Sequence, residues 1–236
     1  MFHFLSRNAR SAHNSLAPMR LELLEPRILL TATPDGWWRM DGDVNDVSSH
    51  ALAATVIGDA NFQAGQFNQA ISFDGGGDMV SISDPGHYLD NTSALTISAW
   101  LHVDPQGAGT QRGVLSKRTS AGDAGAYAIY LGNDDRLYIN IAGGSSLVST
   151  RTFLSEHDNS WYHIAVTFNS SDAKLYVNGA QEAAATAPQT TVYSSANLVL
   201  GALQTGSAAY GSYFNGKVDD LRITRDNLTG DEIALM

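Results

Sequence analysis

Residues 161–179 constrain the fold of this chain more than any other stretch, because they carry the pattern of two β-strands and the turns beside them. In the first strand, alternate positions are large and apolar, as expected when one face is buried: Tyr162, Ile164, Val166 and Phe168. A polar cluster at 169–172 predicts a turn, and 174–177 predicts a second short strand. The Asn178-Gly179 pair then suits a tight turn that needs positive φ.

Similar short strand patterns, separated by turn residues, continue through most of the chain. Besides this hairpin, we predict strands at 37–40, 53–57, 60–62, 70–73, 79–82, 95–103, 114–117, 126–131, 137–141, 198–200 and 217–224. The helix signal lies at 227–233, where Thr229 is placed to cap a first turn and Glu232 follows three residues later. This spacing is typical of an all-β, two-sheet antiparallel sandwich with a short C-terminal helical turn.

Composition excludes several classes of function. Residues 35–236 carry ten basic and 22 acidic side chains, a net charge of −12, so no basic stripe is present to neutralise phosphates and we expect no nucleic-acid partner. The absence of cysteine excludes disulfides and thiolate metal sites. No apolar run reaches the roughly 18 residues that span a bilayer. About 200 residues are enough for one domain, which we place at 35–236.

Five motifs in order resemble one family. The hairpin matches W-x-H-[IV]-A-V-T-[FY] followed by L-Y-V-N-G, which looks like the central hairpin of laminin-G-like, concanavalin A-type jelly rolls. The other four matches are GQFNQAISFD at 65–74, LTISAW at 95–100, FNGKVDDLRI at 214–223 and LTGDEI at 228–233. The resemblance covers roughly residues 36–236, and it implies an antiparallel two-sheet jelly roll.

Residues 1–34 differ in kind from the rest, with four Arg, two Glu and no Asp. The apolar stretch near their end is interrupted by charges and Pro26, so it is a poor secretory signal by composition. The segment LEPRILL at 24–30 instead resembles the Leu-Glu-Pro-Arg-x-Leu-Leu leader of large secreted or surface bacterial proteins. This resemblance implies export to the cell surface or the medium. The alternative is a short amphipathic helix that docks on the domain, although a central proline disfavours it.

We do not expect an enzyme. Retaining glucanases of this fold need two carboxylates about 5 to 5.5 Å apart, and the family places them on one strand as E-x-D-x-E. Glu156 falls in a predicted loop and Glu182 precedes an alanine run, so no two Glu share a strand face. The chain also lacks the G-x-S-x-G, H-E-x-x-H and P-loop motifs.

A metal site is predicted around Asp219. Strict alternation puts this carboxylate in line with Leu221 and Ile223, and a buried carboxylate requires a partner. Calcium could supply one, and the resemblance implies a structural calcium ion with Asp41 and the Gly42 carbonyl as further ligands. The alternatives are a salt bridge from Asp219 to Arg39 or Lys217, or hydrogen bonds to backbone amides. Further candidate loops contain Asp74, Asp78 and Asp123.

Aromatic side chains are the candidate ligand contacts. Trp100 with His102, and Trp161 with His163, share strand faces, but we expect these tryptophans to pack in the core because the family carries them whether or not it binds sugar. The predicted contacts are instead loop aromatics, which can stack on sugar rings: Tyr88, Tyr127, Tyr210, Tyr213 and Phe214.

These observations favour a non-catalytic extracellular carbohydrate-binding or adhesion module that is stabilised by calcium. The expected partner is a polysaccharide or a surface glycoprotein. The alternative is a structural spacer or protein-interaction domain of a surface protein without a glycan ligand. A glycoside hydrolase is less favoured, and the fold alone does not decide among these functions.

Overall fold

Two antiparallel β-sheets packed face to face make up the computed structural model, which confirms the predicted all-β sandwich. The structure describes residues 32–90, 93–105, 110–119, 127–141, 146–153, 160–186, 194–206 and 209–236. The leader segment LEPRILL therefore lies outside the described residues, as does Asp123.

The described elements follow one another in this order: β1 (Gly36–Trp38), β2 (Ala54–Ile57), β3 (Asn61–Ala64), β4 (Gln69–Asp74), β5 (Met79–Ile82), β6 (Ala94–Val103), β7 (Arg112–Lys117), β8 (Tyr127–Leu131), β9 (Arg136–Ile141), β10 (Leu147–Thr152), β11 (Tyr162–Asn169), β12 (Asp172–Val177), β13 (Ala180–Thr186), β14 (Leu198–Leu200), β15 (Leu203–Gly206), β16 (Ala209–Gly211), β17 (Asn215–Thr224) and α1 (Gly230–Ile233).

Strands that are distant in sequence are neighbours in both sheets. Sheet A has the order β13-β12-β11-β6-β17-β4-β3, with β1 also paired to β17. Sheet B has the order β10-β9-β8-β7-β14-β5-β2, and β15 pairs with β16 as a separate hairpin. In each sheet a late strand, β17 or β14, is inserted between two early ones, as in a jelly roll.

The central hairpin forms as its pattern predicts. Ile164 pairs with Val177 and Phe168 with Ala173, so β11 and β12 are in register across the turn. Asn178 and Gly179 have φ values of 49° and 77°, which confirms the predicted positive-φ turn. The four alternating apolar side chains of β11 are buried in the main core. Burying one such side chain contributes roughly 1.5–3 kcal/mol.

Two edge strands escaped the sequence prediction because their composition is unfavourable for strands. β13 is rich in alanine, and β10 has the polar sequence LVSTRT. The carboxylate of Glu182 on β13 accepts hydrogen bonds from the Thr150 amide at 2.9 Å and the Thr150 hydroxyl at 2.8 Å, and it also pairs with the Arg151 guanidinium. These bonds connect the edges of the two sheets and cover backbone groups that would otherwise be exposed.

The C-terminal helical turn is confirmed. Thr229 caps α1, and its hydroxyl and the Glu232 side chain form a reciprocal capping box. Leu228 and Ile233 pack on Ala165 and Tyr176, on the side of sheet A that faces away from sheet B. No helix in the described ranges has the length and apolar character that crossing a membrane requires.

A buried ion network connects β7 to the loop after β5 and to the loop before β14. The Lys117 ammonium lies 2.8 Å from an Asp90 oxygen and 3.1 Å from an Asp84 oxygen, and all three side chains are at most 1% exposed. Backbone carbonyls of Ser194 and Ala196 accept further hydrogen bonds from the ammonium, at 3.3 and 3.0 Å. The lysine is thus surrounded by acceptors, as a buried charge must be.

Candidate ligand-binding face

Two tryptophan–histidine pairs lie on the side of sheet A that points away from sheet B. The residues that alternate with Trp100 and His102 on β6 are in the core, and the same holds for His163 on β11. Trp161 immediately precedes β11 and contacts the His102 ring. The expectation that these two tryptophans pack in the core is therefore wrong, and the core tryptophan is Trp38. We call this side of sheet A the aromatic face.

The rings of the aromatic face contact one another across strands. The centroids of Trp100 and His163 are 5.2 Å apart, and those of His102 and Trp161 are 5.5 Å apart. Phe67, in the turn between β3 and β4, meets Trp100 edge-on at 5.9 Å with the ring planes at 90°. Phe67 is 46% exposed, so the strip of rings remains accessible to a ligand.

A groove of about 570 Å³ opens on this strip, and we call it the tryptophan groove. Sheet A contributes Trp100 and His163 to its lining, and Trp161, just before β11, lines it as well. The turn at 178–180 lines it as well, together with three C-terminal residues: Ile233, Ala234 and Met236. A concave site that combines aromatic side chains with a few polar groups is the usual form of a small-ligand site.

Hydrogen bonds hold the turn beside the groove. The Asn178 backbone amide donates to the His163 carbonyl at 2.8 Å, and its side-chain oxygen accepts from the His163 amide at 2.9 Å. Asn178 therefore belongs to the same rigid unit as β11. A polar side chain positioned in this way can orient a ligand without first being ordered.

The polar atoms of the tryptophan groove are those of a neutral site. Burial lowers the pKa of His163 to about 4, so the imidazole is uncharged at neutral pH. The buried indole nitrogen of Trp100 has no hydrogen-bond partner among the described residues. Leaving such a donor buried and unpaired costs roughly 1–3 kcal/mol.

Asp219 also belongs to the aromatic face, because a β-bulge interrupts the alternation of β17. Asp220 has a φ of +48°, and the pairing with β6 shifts register between Asp219 and Arg222. Asp219 consequently lies opposite Trp100 rather than in line with the core residue Leu221. The prediction that Asp219 is buried is confirmed, but the prediction that it shares a face with Leu221 is wrong.

The Asp219 carboxylate is only half satisfied by hydrogen bonds. Its Oδ2 accepts from the Phe67 backbone amide at 2.8 Å, whereas its Oδ1 has no partner in the described part of the chain. The side chain is fully buried, and burial raises its pKa to about 6 against the lowering effect of the Phe67, Asp220 and Gln66 backbone amides. Gly65 leaves space for this carboxylate, because a Cβ there would lie 2.7 Å from Oδ2.

Asp41 and Asp219 line one cleft of about 240 Å³, which we call the Asp219 cleft. Asp41 accepts from the Gln69 amide at 3.2 Å and from the Asn68 side-chain nitrogen at 3.3 Å. Both carboxylates therefore bind the β3–β4 turn. Gly42 has a φ of +86°, and a Cβ there would lie 2.9 Å from the Gln69 side-chain oxygen.

The fit of this cleft to calcium is incomplete. One orphaned buried carboxylate oxygen and a second carboxylate are suitable donors for a hard cation. However, Arg39 and Arg222 line the same cleft and add positive charge. Among the described residues, the acidic trio whose oxygens all lie within 4.8 Å of one another is elsewhere: Asp59, Asp74 and Asp78. In that trio, Asp78 already accepts from the Asp59 backbone amide at 2.8 Å.

Trp37 completes the Asp219 cleft. Its indole nitrogen donates to Asp220 at 2.6 Å, and the guanidinium groups of Arg39 and Arg222 each lie 4.6 Å from its ring centroid. Arg222 also pairs with Asp220 at 2.8 Å. Arg222 is thus held by a ring and a carboxylate, and Arg39 by the Trp37 ring.

Comparison with known proteins agrees with this architecture. The Laminin_G_3 family model, described as "Concanavalin A-like lectin/glucanases superfamily", matches residues 74–234. The chain belongs to this family. No curated protein matches this laminin-G-like chain at a significant level.

Solved structures similar to the laminin-G-like domain include binding domains of bacterial toxins. The botulinum neurotoxin serotype C1 binding domain aligns with a TM-score of 0.71 at 12% identity, over 87% of this chain and 51% of that one. The binding domain of Paraclostridial Mosquitocidal Protein 1 aligns with a TM-score of 0.70 at 14% identity, over 87% of this chain and 52% of that one. A third structure aligns with a TM-score of 0.71 at 14% identity, over 87% of this chain and 50% of that one. It is described as "Cell entry of botulinum neurotoxin type C is dependent upon interaction with two ganglioside molecules". The domain spans about half of each, and at these identities the likeness shows the fold alone.

Two of the predicted ligand contacts are core residues of the laminin-G-like domain. Phe214 is fully buried and packs against Phe73, and Tyr127 is 3% exposed with its hydroxyl bonded to the Leu89 carbonyl at 2.9 Å. A ligand cannot stack on rings that the core encloses, which corrects the expectation for both. Tyr127 begins β8, as the strand predicted at 126–131 already implies, and Phe214 directly precedes β17.

The remaining loop aromatics are half-buried. Tyr210 and Tyr213 pack on an apolar cluster formed by Met79, Val199 and Ala202. Tyr88 lies against the His50 ring, with centroids 3.7 Å apart. None of the three lines the tryptophan groove, so the structure does not bring the predicted contacts together into one site.

The described glutamates of the domain have structural partners. Glu182 connects the sheet edges through Thr150 and Arg151, and Glu232 completes the helix cap at Thr229. Glu156 lies outside the described residues. Neither described glutamate belongs to a carboxylate pair that lines the tryptophan groove, as a retaining glucanase mechanism would require.

Proposed function

We propose that this laminin-G-like domain is a non-catalytic carbohydrate-binding module and that the tryptophan groove is its binding site. The observation that carries the proposal is the placement of Trp100 and Trp161 together in one open groove on the outward side of a sheet. Tryptophans that serve only the core would be enclosed, as Trp38 is. The ligand is a polysaccharide or a surface glycoprotein.

The groove has the chemistry that such a ligand needs. Indole rings present large apolar faces for the CH-rich face of a pyranose ring. Asn178 and the neutral His163 imidazole offer donors and acceptors for hydroxyl groups. The gangliosides named for a similar toxin structure carry glycans, and this supports the ligand class by analogy of fold only.

Calcium is a second part of the proposal, with Asp219, Asp41 and the Gly42 carbonyl as ligands. The unpartnered Asp219 Oδ1 supports it, because a cation would satisfy a buried oxygen that otherwise lacks a partner. The ion would stabilise the domain by binding the folded state and not the unfolded chain.

The domain would act outside the cell. This part rests on the leader segment LEPRILL at 24–30 and on its resemblance to leaders of surface proteins. Fractionation of producing cells tests it, because recovery of the full-length chain from the cytoplasm alone contradicts export.

A polysaccharide and glycan array probed with residues 35–236, once with calcium and once with a chelator, tests the binding function. We expect binding to one glycan class, and we expect Trp161→Ala to weaken it about tenfold, since a stacked ring contributes up to roughly 1.5 kcal/mol. Binding that survives chelation would confine calcium to a structural role.

Val47→Ala is the matched control, because Val47 is 48% exposed and does not line the tryptophan groove. It should leave array binding unchanged. An array without signal, or binding that Trp161→Ala leaves intact, contradicts the proposed site and favours the spacer or protein-interaction role.

A further inference from the structure

A second aromatic platform lies on sheet B, on the side that points away from sheet A. Tyr130 on β8 and Tyr138 on β9 are directly opposite each other across the two strands. Their ring centroids are 5.4 Å apart and the planes differ by 12°, so the rings are stacked. Their strand neighbours Ile129 and Ile139 are in the core, which places both tyrosines on the outward side.

The stacked rings line an open cleft of about 500 Å³. We call it the tyrosine cleft, and it is lined by Gln111, Tyr130, Gly132, Asn133, Asp134 and Tyr138. Two side-chain amides and one carboxylate therefore surround a pair of half-exposed rings. Gly132 allows this arrangement, because a Cβ at that position would collide with the Tyr138 ring.

The turn that carries the polar groups is held rigidly. Asp135 has a φ of +61°, and its amide donates to the Gly132 carbonyl at 3.0 Å. Its carboxylate pairs at 2.8 Å with Arg112, whose side chain is 1% exposed. The Asp135 carbonyl also accepts from the Phe153 amide at 2.8 Å. A buried cation and two backbone bonds thus fix the turn before any ligand arrives.

The Tyr138 ring is fixed as well. Its hydroxyl donates to Asp134 Oδ2 at 3.0 Å, and this hydrogen bond raises the pKa of the tyrosine. The phenol therefore stays protonated at neutral pH. The second oxygen of Asp134 accepts from the Arg136 amide at 3.3 Å, and the side chain lies at the mouth of the cleft.

Packing alone does not explain this pair of tyrosines. A cross-strand aromatic pair contributes roughly 0.2–1 kcal/mol to a sheet, and this is the ordinary role of such residues. The tyrosines that serve packing at the surface of sheet B, Tyr210 and Tyr213, cover an apolar cluster. Tyr130 and Tyr138 instead share their surroundings with two amides and a carboxylate, which are groups that bind hydroxyls.

We propose that the tyrosine cleft is a second carbohydrate site, which binds a neutral pyranose ring by stacking on Tyr130 or Tyr138 and by hydrogen bonds to Gln111, Asn133 and Asp134. The ligand is neutral because the acidic domain, with a net charge of −12 over residues 35–236, repels a uronate or a sulfated sugar. The Asp134 charge contributes less to this repulsion, since the Arg136 Nε lies 3.9 Å from its Oδ2. With sites on opposite sheets, one molecule can bridge two polysaccharide chains.

Proton–carbon NMR of aromatic side chains in the full chain tests both sites in one spectrum. The probes are cellotetraose, xylotetraose, mannotetraose and chitotetraose, each titrated into the millimolar range where a weak stacking site saturates. Tyr130→Phe and Tyr138→Phe assign the tyrosine signals, and Trp161→Phe assigns a tryptophan of the groove. We expect at least one probe to shift the Tyr130 and Tyr138 signals in a saturable way.

Substitutions then locate the binding. Tyr138→Ala should weaken the binding that shifts Tyr130 about tenfold, while Tyr138→Phe, which keeps the ring, should weaken it less. Ile57→Ala is the control, because Ile57 is 40% exposed at the far edge of sheet B and should change nothing. Trp161→Ala should leave the tyrosine titration intact.

The outcomes separate this inference from the proposed function. Shifts of the tyrosine signals that persist in Trp161→Ala support the second site, even if the tryptophan signals never move. Tyrosine signals that stay still with all four probes overturn the second site, whatever the tryptophans do. Tyrosine shifts that Tyr138→Ala leaves at full affinity overturn it as well.

Discussion

Lys117 and Asp219 are both buried ionisable residues, but their surroundings differ in one respect. Lys117 is enclosed by two carboxylates and two carbonyls, so its charge is compensated from within the fold. Asp219 has one amide for its Oδ2 and no partner for its Oδ1 in the described chain. The Lys117 network is complete without a ligand, whereas the Asp219 carboxylate requires a proton or a cation.

This difference distinguishes a buried charge that stabilises the fold from a buried charge that could bind an ion. Removing one member of a satisfied buried network destabilises the fold strongly, because the remaining members stay charged and unpaired. A half-satisfied carboxylate carries a free-energy penalty in the folded state that a bound ion or proton removes. Asp219 lies opposite Trp100 on the aromatic face, so a bound ion or proton would lie beside the proposed glycan site.

The largest effect is expected from Lys117→Met, which leaves Asp84 and Asp90 buried without their cation. We expect a loss of about 3–5 kcal/mol in the free energy of unfolding, measured by urea denaturation. Lys174→Met is the matched control, since Lys174 pairs with Asp172 at 3.1 Å while both side chains are about one-third exposed. That variant should lose less than about 1 kcal/mol. Equal losses in the two variants would remove the distinction between the pairs.

Asp219→Asn should act in the opposite direction when metal is chelated. The folded pKa of about 6 is above the ordinary value of 3.8, so the folded protein binds the proton more tightly than the unfolded chain. Stability from this group is therefore full below pH 3.8 and is lost as the pH rises through 6. At pH 7 the penalty reaches about 3 kcal/mol, and the Asn variant should lack this part of the pH dependence.

The same unfolding experiment with added calcium tests where the ion binds. If the ion binds at Asp219, calcium raises the unfolding midpoint of the wild type and leaves Asp219→Asn unchanged. Asp41→Asn should also lose the response, whereas Asp78→Asn should keep it. A response that disappears only in Asp78→Asn would move the metal to the trio of Asp59, Asp74 and Asp78.

Much of the fold could be predicted from the sequence, because alternation along strands is a local pattern. The hairpin at 161–179 and the capping box at Thr229 agree with the structure for this reason. The alanine-rich β13 has no such pattern, and its strand forms through pairing with β12. Tertiary pairing overrides weak strand propensity there.

The candidate site was less predictable, since it depends on contacts between distant residues. The bulge at Asp220 turns Asp219 toward Trp100, and no local signal announces such a register shift. Alternation puts Trp100 and Trp161 on the face opposite the branched residues of their strands, and in this chain that local pattern is a better guide than the general occurrence of tryptophan in the family. The burial of Lys117 depends on Asp84 and Asp90, which come from a separate loop.

His163 extends the comparison to a buried group that stays neutral. Its folded pKa of about 4 is below the ordinary value of 6.5, so its contribution to stability is complete above pH 6.5 and is lost as the pH falls toward 4. This amounts to about 2 kcal/mol at pH 5, and His163→Gln should remove it. NMR titration of the ring gives the pKa directly.

Because the imidazole remains neutral from pH 5.5 to 8, glycan affinity in the tryptophan groove should be constant over that range. A ring that titrates near 6.5 would show that it is solvated rather than packed against Trp100, and binding would then follow its charge.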